Sequence, residues 1–583
     1  MRSIRGVPVA GGVAIGPAVV VAGDPPPAGG RVAPGMEPAE VDRFAAAAAA
    51  AAEDYRQLAA DIRDAGHPDE AEIFAAQAEM ALDPTLGDRV VARIRAGDDA
   101  IAAARGASAE LAAQLRALED ELLAARAVDL EAVADRIARR LAGLSPDAMP
   151  RIDRPSLVVA PDLAASAAAS LPRDRLLGMA LEAGSPTAHA AILARAWGVP
   201  AVVGAAGLLD AIAAAASPSG DRPVDVAIDG ATGEVVVDPD EASRDRLSRR
   251  RSAALAAVGR DRDEARDPAV TADGVEVVLL ANLGTPAEAA AARELGARGV
   301  GLFRTEFLFL ERTTAPSEDE QAAAYRAVVE AFAPDPVTIR LLDVGGDKPI
   351  PYLPLPAEAN PFLGVRALRI AGLAGDVLET QLRAAMRAAV AAPVKVMAPM
   401  VADAADVAIL RDLAGRARGG LEAAGTAHGP IALGAMLEVP SAVVLADRLL
   451  PMLDFASLGT NDLLQYTLAA DRGNAHLGRF HDPLHPALLR LVADAVSAAG
   501  RAGIELSVCG EMAGDPVAAL VLVGLGIRRL SMAPSSLGPV RRAIRGSDAA
   551  VLAASARRLM DLGSAADVRA AIAAAGASGV ARD

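Results

Sequence analysis

Aromatic side chains are nearly missing from this sequence: they make up 2% of its 583 residues, with a single tryptophan. The 52% hydrophobic fraction is therefore an expression of alanine-rich helices rather than of greasy surface. Apolar runs long enough to cross a bilayer are missing too, because charges, glycine or proline interrupt each one. The only cysteine, Cys509, excludes an internal disulfide and a cysteine-built zinc site, and suits a reducing compartment. Nor is there a basic excess: 58 Lys+Arg against 75 Asp+Glu leave a net charge of -17. That balance disfavours non-specific nucleic-acid binding and would attract a basic protein partner. A chain of this length exceeds what one hydrophobic core supports, so a cytoplasmic protein of about three domains is expected.

What is present falls into blocks. Arg2 and Arg5 precede GVPVAGGVAIGPAVVVAGD, which superficially resembles a secretory signal, but five glycines and two prolines between Gly6 and Gly23 make a poor apolar helix. Its alternating valines suit a strand, a turn and a second strand. An unbroken alanine run, Ala45 to Ala52, opens a helical block that reaches about Leu144. Strand character returns at PSLVVAPDL (Pro155 to Leu163) and continues with short helices to GEVVVDPD (Gly233 to Asp240), so the helical block reads as an insert in an α/β domain. The stretch Ala242 to Asp267 is too charged to form a core and suits a bridge between domains. Beyond it, short apolar strands start near Val275, Val300, Val337, Val394, Leu433, Phe455, Leu506 and Leu530, with helices between them. Eight such units predict a (β/α)8 barrel with its active site at the carboxyl ends of the strands.

Those strand ends carry Asn282, Arg304 with Glu306, Arg340 with Asp343, Lys348, Glu438, Asn461 with Asp462, and Cys509 with Glu511. Singly, an arginine beside an acid is as well explained by a structural ion pair. Together the set points to one mouth. Several cations suit a phosphorylated or carboxylated ligand. Glu438 and Asp462 can supply oxygen ligands to Mg2+, with phosphate oxygens completing the shell. Phosphoryl transfer needs mainly positioning and charge neutralisation, which this constellation offers. Cys509 reads either as a small buried hydrophobe or as a proton donor to an enolate, with an ordinary thiol pKa near about 8.5.

His189 lies in GSPTAHAAILARAWGVPAVVG (Gly184 to Gly204), where a Gly/Pro/Thr turn leads into a helix starting near Ala190. A histidine beside a helix N-terminus is kept neutral and would have a phosphate on its ring stabilised, as a phosphoryl-accepting nucleophile requires. A packed or capping histidine is the plain alternative. His67, His428, His476, His481 and His485 lack this setting and read as structural or surface groups.

At these residues the sequence resembles the phosphoenolpyruvate-utilising family, over nearly the whole chain. TAHAAILAR is similar to that family's phosphohistidine signature, and ASLGTNDLLQYTLAADRGN (Ala456 to Asn474) to its barrel signature. GVGLFRTEFLF, LDVGGDKPIPY, NPFLGVRALR, GAMLEVPSA and VCGEMAGD match further. The resemblance implies that Arg304 and Arg340 hold the substrate phosphate, that Asn461 and Arg472 bind its carboxylate end, and that Glu438 and Asp462 ligate magnesium. His189 would attack phosphorus and Cys509 would protonate the departing enolate to give pyruvate; Lys348 and Arg366 match family positions with less defined roles. The pattern departs at Ser185, Pro186 and Ala188, where the family has Gly-Gly before a Thr-Ser-His core, while Thr187 is kept. Altered loop stiffness or partner preference is expected there, rather than lost activity.

Within the family, pyruvate phosphate dikinase and phosphoenolpyruvate synthase add a large ATP-binding domain, for which this chain has no glycine-rich phosphate loop. DEAEIFAAQAEMALDP (Asp69 to Pro84) instead resembles the helical segment with which the sugar phosphotransferase branch binds the phosphocarrier HPr. The expected organisation is an α/β phosphohistidine domain (1–22 and 145–238), a helical HPr-binding insert (23–144), a linker (239–267) that helps the histidine domain alternate between its donor and its acceptor, and a phosphoenolpyruvate-binding barrel (268–583) that forms a homodimer. A regulatory phosphoprotein without turnover is the alternative from another class.

Overall fold

The computed structural model describes the chain except residues 22–28, 65–67, 117–120, 145–151, 164–167, 169–170, 185–188, 217–222, 311, 313, 346–349, 351, 354, 357, 473 and 578–583, and, inside elements, the side chains of a few more, His189 among them. Two compact units emerge, Met1–Ala256 and Ala257–Asp583.

In the first unit, β1 (Arg2–Arg5), β2 (Val7–Ala10), β3 (Val13–Val20), β4 (Ser156–Ala160), β5 (Leu176–Leu181), β6 (Ala201–Val203), β7 (Asp225–Asp229) and β8 (Glu234–Val237) form one mixed sheet in the order β1-β8-β7-β3-β4-β5-β6-β2. The valine-rich stretch from Gly6 holds the expected strand, turn and second strand, β2 and β3, with Gly11 and Gly12 between them and Gly12 at a positive φ of 116°; β1 precedes it as an additional strand. β4 is buried along its whole length, as its unbroken SLVVA run requires of a strand between parallel neighbours β3 and β5. Between β3 and β4 lie helices Glu37–Asp64, Pro68–Ala81, Pro84–Arg95, Ala100–Arg116 and Glu121–Leu141. Ala51, Ala52, Ala103 and Ala107 are fully buried between them, with Tyr55 and Phe74 as the large side chains that lock their packing. Helix His189–Trp197 packs on β2 and β6, and the Arg173 guanidinium stacks 4.5 Å from the Trp197 ring centroid.

Helix Glu241–Asp263 contains the division between the units. Among its residues only Leu247 is buried. On the first unit, Arg244, Arg246 and Arg250 pair with Asp225, Glu234 and Asp229 of β7 and β8 at 2.9, 2.6 and 2.7 Å.

The second unit is the expected barrel. β10 (Glu276–Leu283), β11 (Val300–Phe303), β12 (Val337–Arg340), β13 (Val394–Ala398), β14 (Ile431–Leu437), β15 (Phe455–Leu458), β16 (Glu505–Val508) and β17 (Arg529–Met532) are all parallel, and β10 pairs with both β11 and β17 to close the ring. The short β9 (Ala269–Val270) adds antiparallel to β10 outside the ring. Leu302, Met397, Met436, Phe455 and Cys509 form a separate small apolar cluster, while the larger core lies between strands and surrounding helices. At the amino ends of the strands, Lys395 and Arg529 share the Glu505 carboxylate at 2.7 and 3.0 Å, and the Lys395 ammonium lies 5.1 Å from the Phe455 ring centroid. Among the described residues no helix is long and apolar enough to cross a membrane.

Candidate active site

The carboxyl ends of the strands gather charge as the sequence suggests, although the pairings differ from those along the chain. Glu306 follows Arg304 but accepts from Arg340 Nη2 across the strands at 2.9 Å, and from the Asp343 N–H at 3.0 Å. Arg340 Nη1 also lies 3.3 Å from Asp343. Asp343 in turn receives both Nε and Nη2 of Arg366 at 2.8 and 2.9 Å, the fork geometry that makes arginine a strong carboxylate partner. Arg366 Nη2 reaches Asp462 at 3.1 Å, and Arg472 approaches the other Asp462 oxygen at 3.7 Å. Arg340, Arg366, Asp343, Glu306, Asp462 and Glu438 are all buried. Arg304, by contrast, is exposed, and its guanidinium makes no ion pair or hydrogen bond among the described residues.

The remaining strand-end residues hold backbone. Asn461 Oδ1 accepts from the Glu511 N–H at 3.1 Å. Asn282 donates to the Cys509 carbonyl at 3.0 Å and accepts from the Ser531 hydroxyl at 2.6 Å. Lys348 lies outside the described residues.

Burial and like charge set the protonation states. Burial, reinforced by the neighbouring carboxylates of Asp343 and Asp462, pushes Glu438 up to about 8, against the pull of Arg340. In Arg340 and Arg366 burial works to lower the pKa, but their acidic partners outweigh it and keep both charged. Burial raises the Cys509 thiol to about 11, with Ser457 and the arginines acting the other way and Glu438 adding to the rise. The ordinary thiol value expected from sequence is thereby corrected: at neutral pH Cys509 is a protonated donor, 3% exposed.

A divalent cation fits this donor set in a particular way. Glu438 Oε1 accepts the Met400 N–H at 2.7 Å, an arrangement for which Met400 adopts a positive φ of 59° that a non-glycine residue rarely takes. Gly459 must lack a side chain, since a Cβ there would lie 2.9 Å from Glu438 Oε2. The acids beside Glu438 raise its pKa, so a cation would relieve their repulsion. Among the described residues no three acidic, histidine or cysteine groups form a closed cage, so Glu438 and Asp462 would share the ion with substrate oxygens and water.

In the first unit, His189 is the first residue of helix His189–Trp197, one position earlier than expected. Its side chain, and the departures at Ser185, Pro186 and Ala188 with Thr187, lie outside the described residues. Of the other histidines, His485 caps helix Pro486–Ala502 through the Ala487 N–H, and His428 and His481 contact the carbonyls of Thr426 and Asp471. The His67 and His476 side chains are outside the described residues.

Three site residues escaped the sequence reading. Tyr466 joins the Arg366 Nη1 at 3.1 Å to the Phe362 carbonyl at 2.7 Å. The Phe362 ring lies 5.8 Å from Arg366 and 6.0 Å from Arg472. Met400 acts through its backbone, which no side-chain pattern announces. Tyr466 alone carried a signal, being a polar aromatic one turn after Asp462 on the same helix, Thr460–Leu468.

Comparison with known proteins shows the family. Residues 259–549 match the model of the PEP-binding domain of PEP-utilising enzymes, residues 5–126 that of their N-terminal domain and residues 152–233 that of their mobile domain. A phosphoenolpyruvate-protein phosphotransferase of Streptomyces coelicolor is 46% identical over 80% of this chain and 81% of its own length. One from Bacillus sp. is 36% identical over 93% of both chains, and one from Bacillus subtilis 36% identical over 87% of this chain and 88% of its own. With matches of this extent on both units, the chain belongs to the phosphoenolpyruvate-utilising enzyme family.

Proposed function

We propose that the chain is a phosphoenolpyruvate-protein phosphotransferase that phosphorylates its own His189 and passes the group to a histidine of HPr, in the cytoplasm, to energise sugar uptake. The observation that carries the reading is Arg304, without an ion pair or hydrogen bond among the described residues, beside the buried Arg340, whose own charge is taken up by Glu306 and Asp343. A tri-anionic phosphate ester supplies the missing counter-charge.

Arg304 and Arg340 hold the phosphoryl group, and Asn461 and Arg472 hold the carboxylate. Lys348 and Arg366 complete the substrate site, with Arg366 acting through Asp343 and Asp462. Glu438 and Asp462 would hold magnesium, which when bound neutralises phosphate oxygens and the developing enolate charge. The His189 ring nitrogen attacks phosphorus, the bond from phosphorus to the bridging oxygen breaks, and its electron pair stays on the enolate. The Cys509 thiol gives its proton to the methylene carbon, pyruvate forms, and solvent restores the thiol. In the second half-reaction the phosphorus–nitrogen bond at His189 is exchanged for one on HPr.

We assign the phosphohistidine domain to 1–22 and 145–238, HPr docking to the helical insert 23–144, linkage to 239–267 and substrate binding with homodimerisation to 268–583. The test is incubation with radiolabelled phosphoenolpyruvate and magnesium, with and without HPr. Acid-labile label on the wild type, absent from His189→Ala and transferable to HPr, is expected. Labelling without transfer would remove HPr as the partner; an unlabelled, well-folded wild type would remove the reading.

A further inference from the structure

Behind Arg304 and Arg340 runs a buried line of polar side chains whose hydrogen bonds all go to uncharged groups. Gln381, on helix Ala371–Ala388, is 0% exposed and stands at its centre. Its Oε1 accepts the Leu342 N–H at 2.8 Å, and its Nε2 donates to Thr305 Oγ1 at 2.9 Å and to the Tyr325 hydroxyl at 3.1 Å. Thr305 Oγ1 donates onward to the Arg340 carbonyl at 3.0 Å. Tyr325, on helix Glu318–Phe332, donates to Gln321 Oε1 at 3.2 Å, and Gln321 donates to the Pro316 carbonyl at 3.1 Å. Thr305, Tyr325 and Gln321 are as buried as Gln381.

The amide orientation is forced, because the Leu342 N–H can only donate and must meet the oxygen. Both amide hydrogens are then committed to the two hydroxyls. An uncharged network this enclosed is costly when any member is missing, and rigid when all are present. What it fixes is specific. Thr305 follows Arg304 directly, while the Arg340 carbonyl and the Leu342 N–H bracket the end of β12. Gln381 therefore ties the carboxyl ends of β11 and β12 to each other from the outside of the barrel, independently of the Glu306 carboxylate that ties them on the inside.

We propose that Gln381 is a positioning residue for phosphate recognition: through Thr305 and Leu342 it sets the separation of Arg304 and Arg340, without touching substrate. The inference rests on the assignment of those arginines to the phosphoryl group. It predicts a defect that depends on the phosphate. In Gln381→Met, phosphoenolpyruvate affinity in the presence of magnesium should fall about 10- to 100-fold, the scale expected of a small displacement of binding groups. Pyruvate, which has the carboxylate but no phosphate, should bind within about twofold of wild type.

Thermal unfolding is followed in parallel, and Thr305→Val supplies the same readout if Gln381→Met does not fold. Combined, the two substitutions should cost no more than the larger one alone, since both break one connection. Unchanged phosphoenolpyruvate affinity in a variant with lowered thermal stability, or equal losses for phosphoenolpyruvate and pyruvate, would overturn the inference and leave Gln381 a packing residue. Failure of the phosphotransferase reading would be seen separately, as absence of labelling in the wild type.

Discussion

The two ends of the barrel are built from the same kinds of residue and do different things with them. At the amino ends of the strands, Lys395 and Arg529 converge on the single carboxylate of Glu505. At the carboxyl ends, Glu306, Asp343, Glu438 and Asp462 face Arg304, Arg340, Arg366 and Arg472, yet the balance is not reflected in the pairing. Arg304 stands apart, Glu438 is driven toward its neutral form, and buried polar atoms of Glu306, Arg340 and Thr460 lack hydrogen-bond partners among the described residues. The amino-end cluster is not balanced either, since two cations share one carboxylate and Arg529 Nε lacks a hydrogen-bond partner among the described residues; what sets the carboxyl end apart is an arginine outside any ion pair beside a carboxyl driven neutral, a combination that a ligand would complete.

The contrast can be broken most forcefully at Arg340. Arg340→Met should reduce labelling by phosphoenolpyruvate at least about 100-fold, and should destabilise the protein by about 3 kcal/mol because Glu306 and Asp343 lose a buried counter-charge. Labelling assays and denaturant unfolding read the two losses. Arg304→Ala should separate them: substrate KM rises about tenfold or more while thermal stability stays at the wild-type value, since Arg304 has no ion pair or hydrogen bond to lose among the described residues.

At the opposite end, Lys395→Met should cost about 1 kcal/mol in unfolding and leave phosphoenolpyruvate KM unchanged. A shift in KM there would mean that the two ends are not separate. The smallest effect belongs to the surface cap of the helix that carries Tyr325. Bonding to Arg312, then to Ser317, lowers Glu320 to about 2. Its contribution is therefore present above the unfolded value of about 4.5 and is lost as pH falls through about 2. The difference in melting temperature between wild type and Glu320→Gln should close over that window.

Much of this architecture was legible because apolar runs begin where strands begin: all eight barrel strands start within two residues of the positions read from the sequence. The residues at the strand ends were legible for the same reason, since a strand that ends in charge has to present it at the rim. Which charges pair was not legible. Glu306 is two residues from Arg304, but both lie past the end of β11, where the chain bends into the 3-10 turn Glu306–Leu308, so strand alternation does not govern them and the bond goes to Arg340 at the end of the neighbouring strand. Gln381 and Tyr325 were hidden because one buried amide or hydroxyl on an apolar helix face looks like any tolerated polar substitution until its partners arrive from elsewhere in the chain. The Cys509 pKa is raised chiefly by desolvation, which no linear pattern encodes.

Trp197 ends the helix that His189 begins, and it is the chain's sole tryptophan. Eight residues separate them, about 12 Å along the helix axis. With a guanidinium on its ring and an indole N–H buried without a partner among the described residues, its emission should respond to small changes in local field. The protein therefore carries a built-in optical reporter. Given the proposed phosphorylation of His189, stopped-flow fluorescence at tryptophan wavelengths would time the arrival and departure of that charge with no dye and no label.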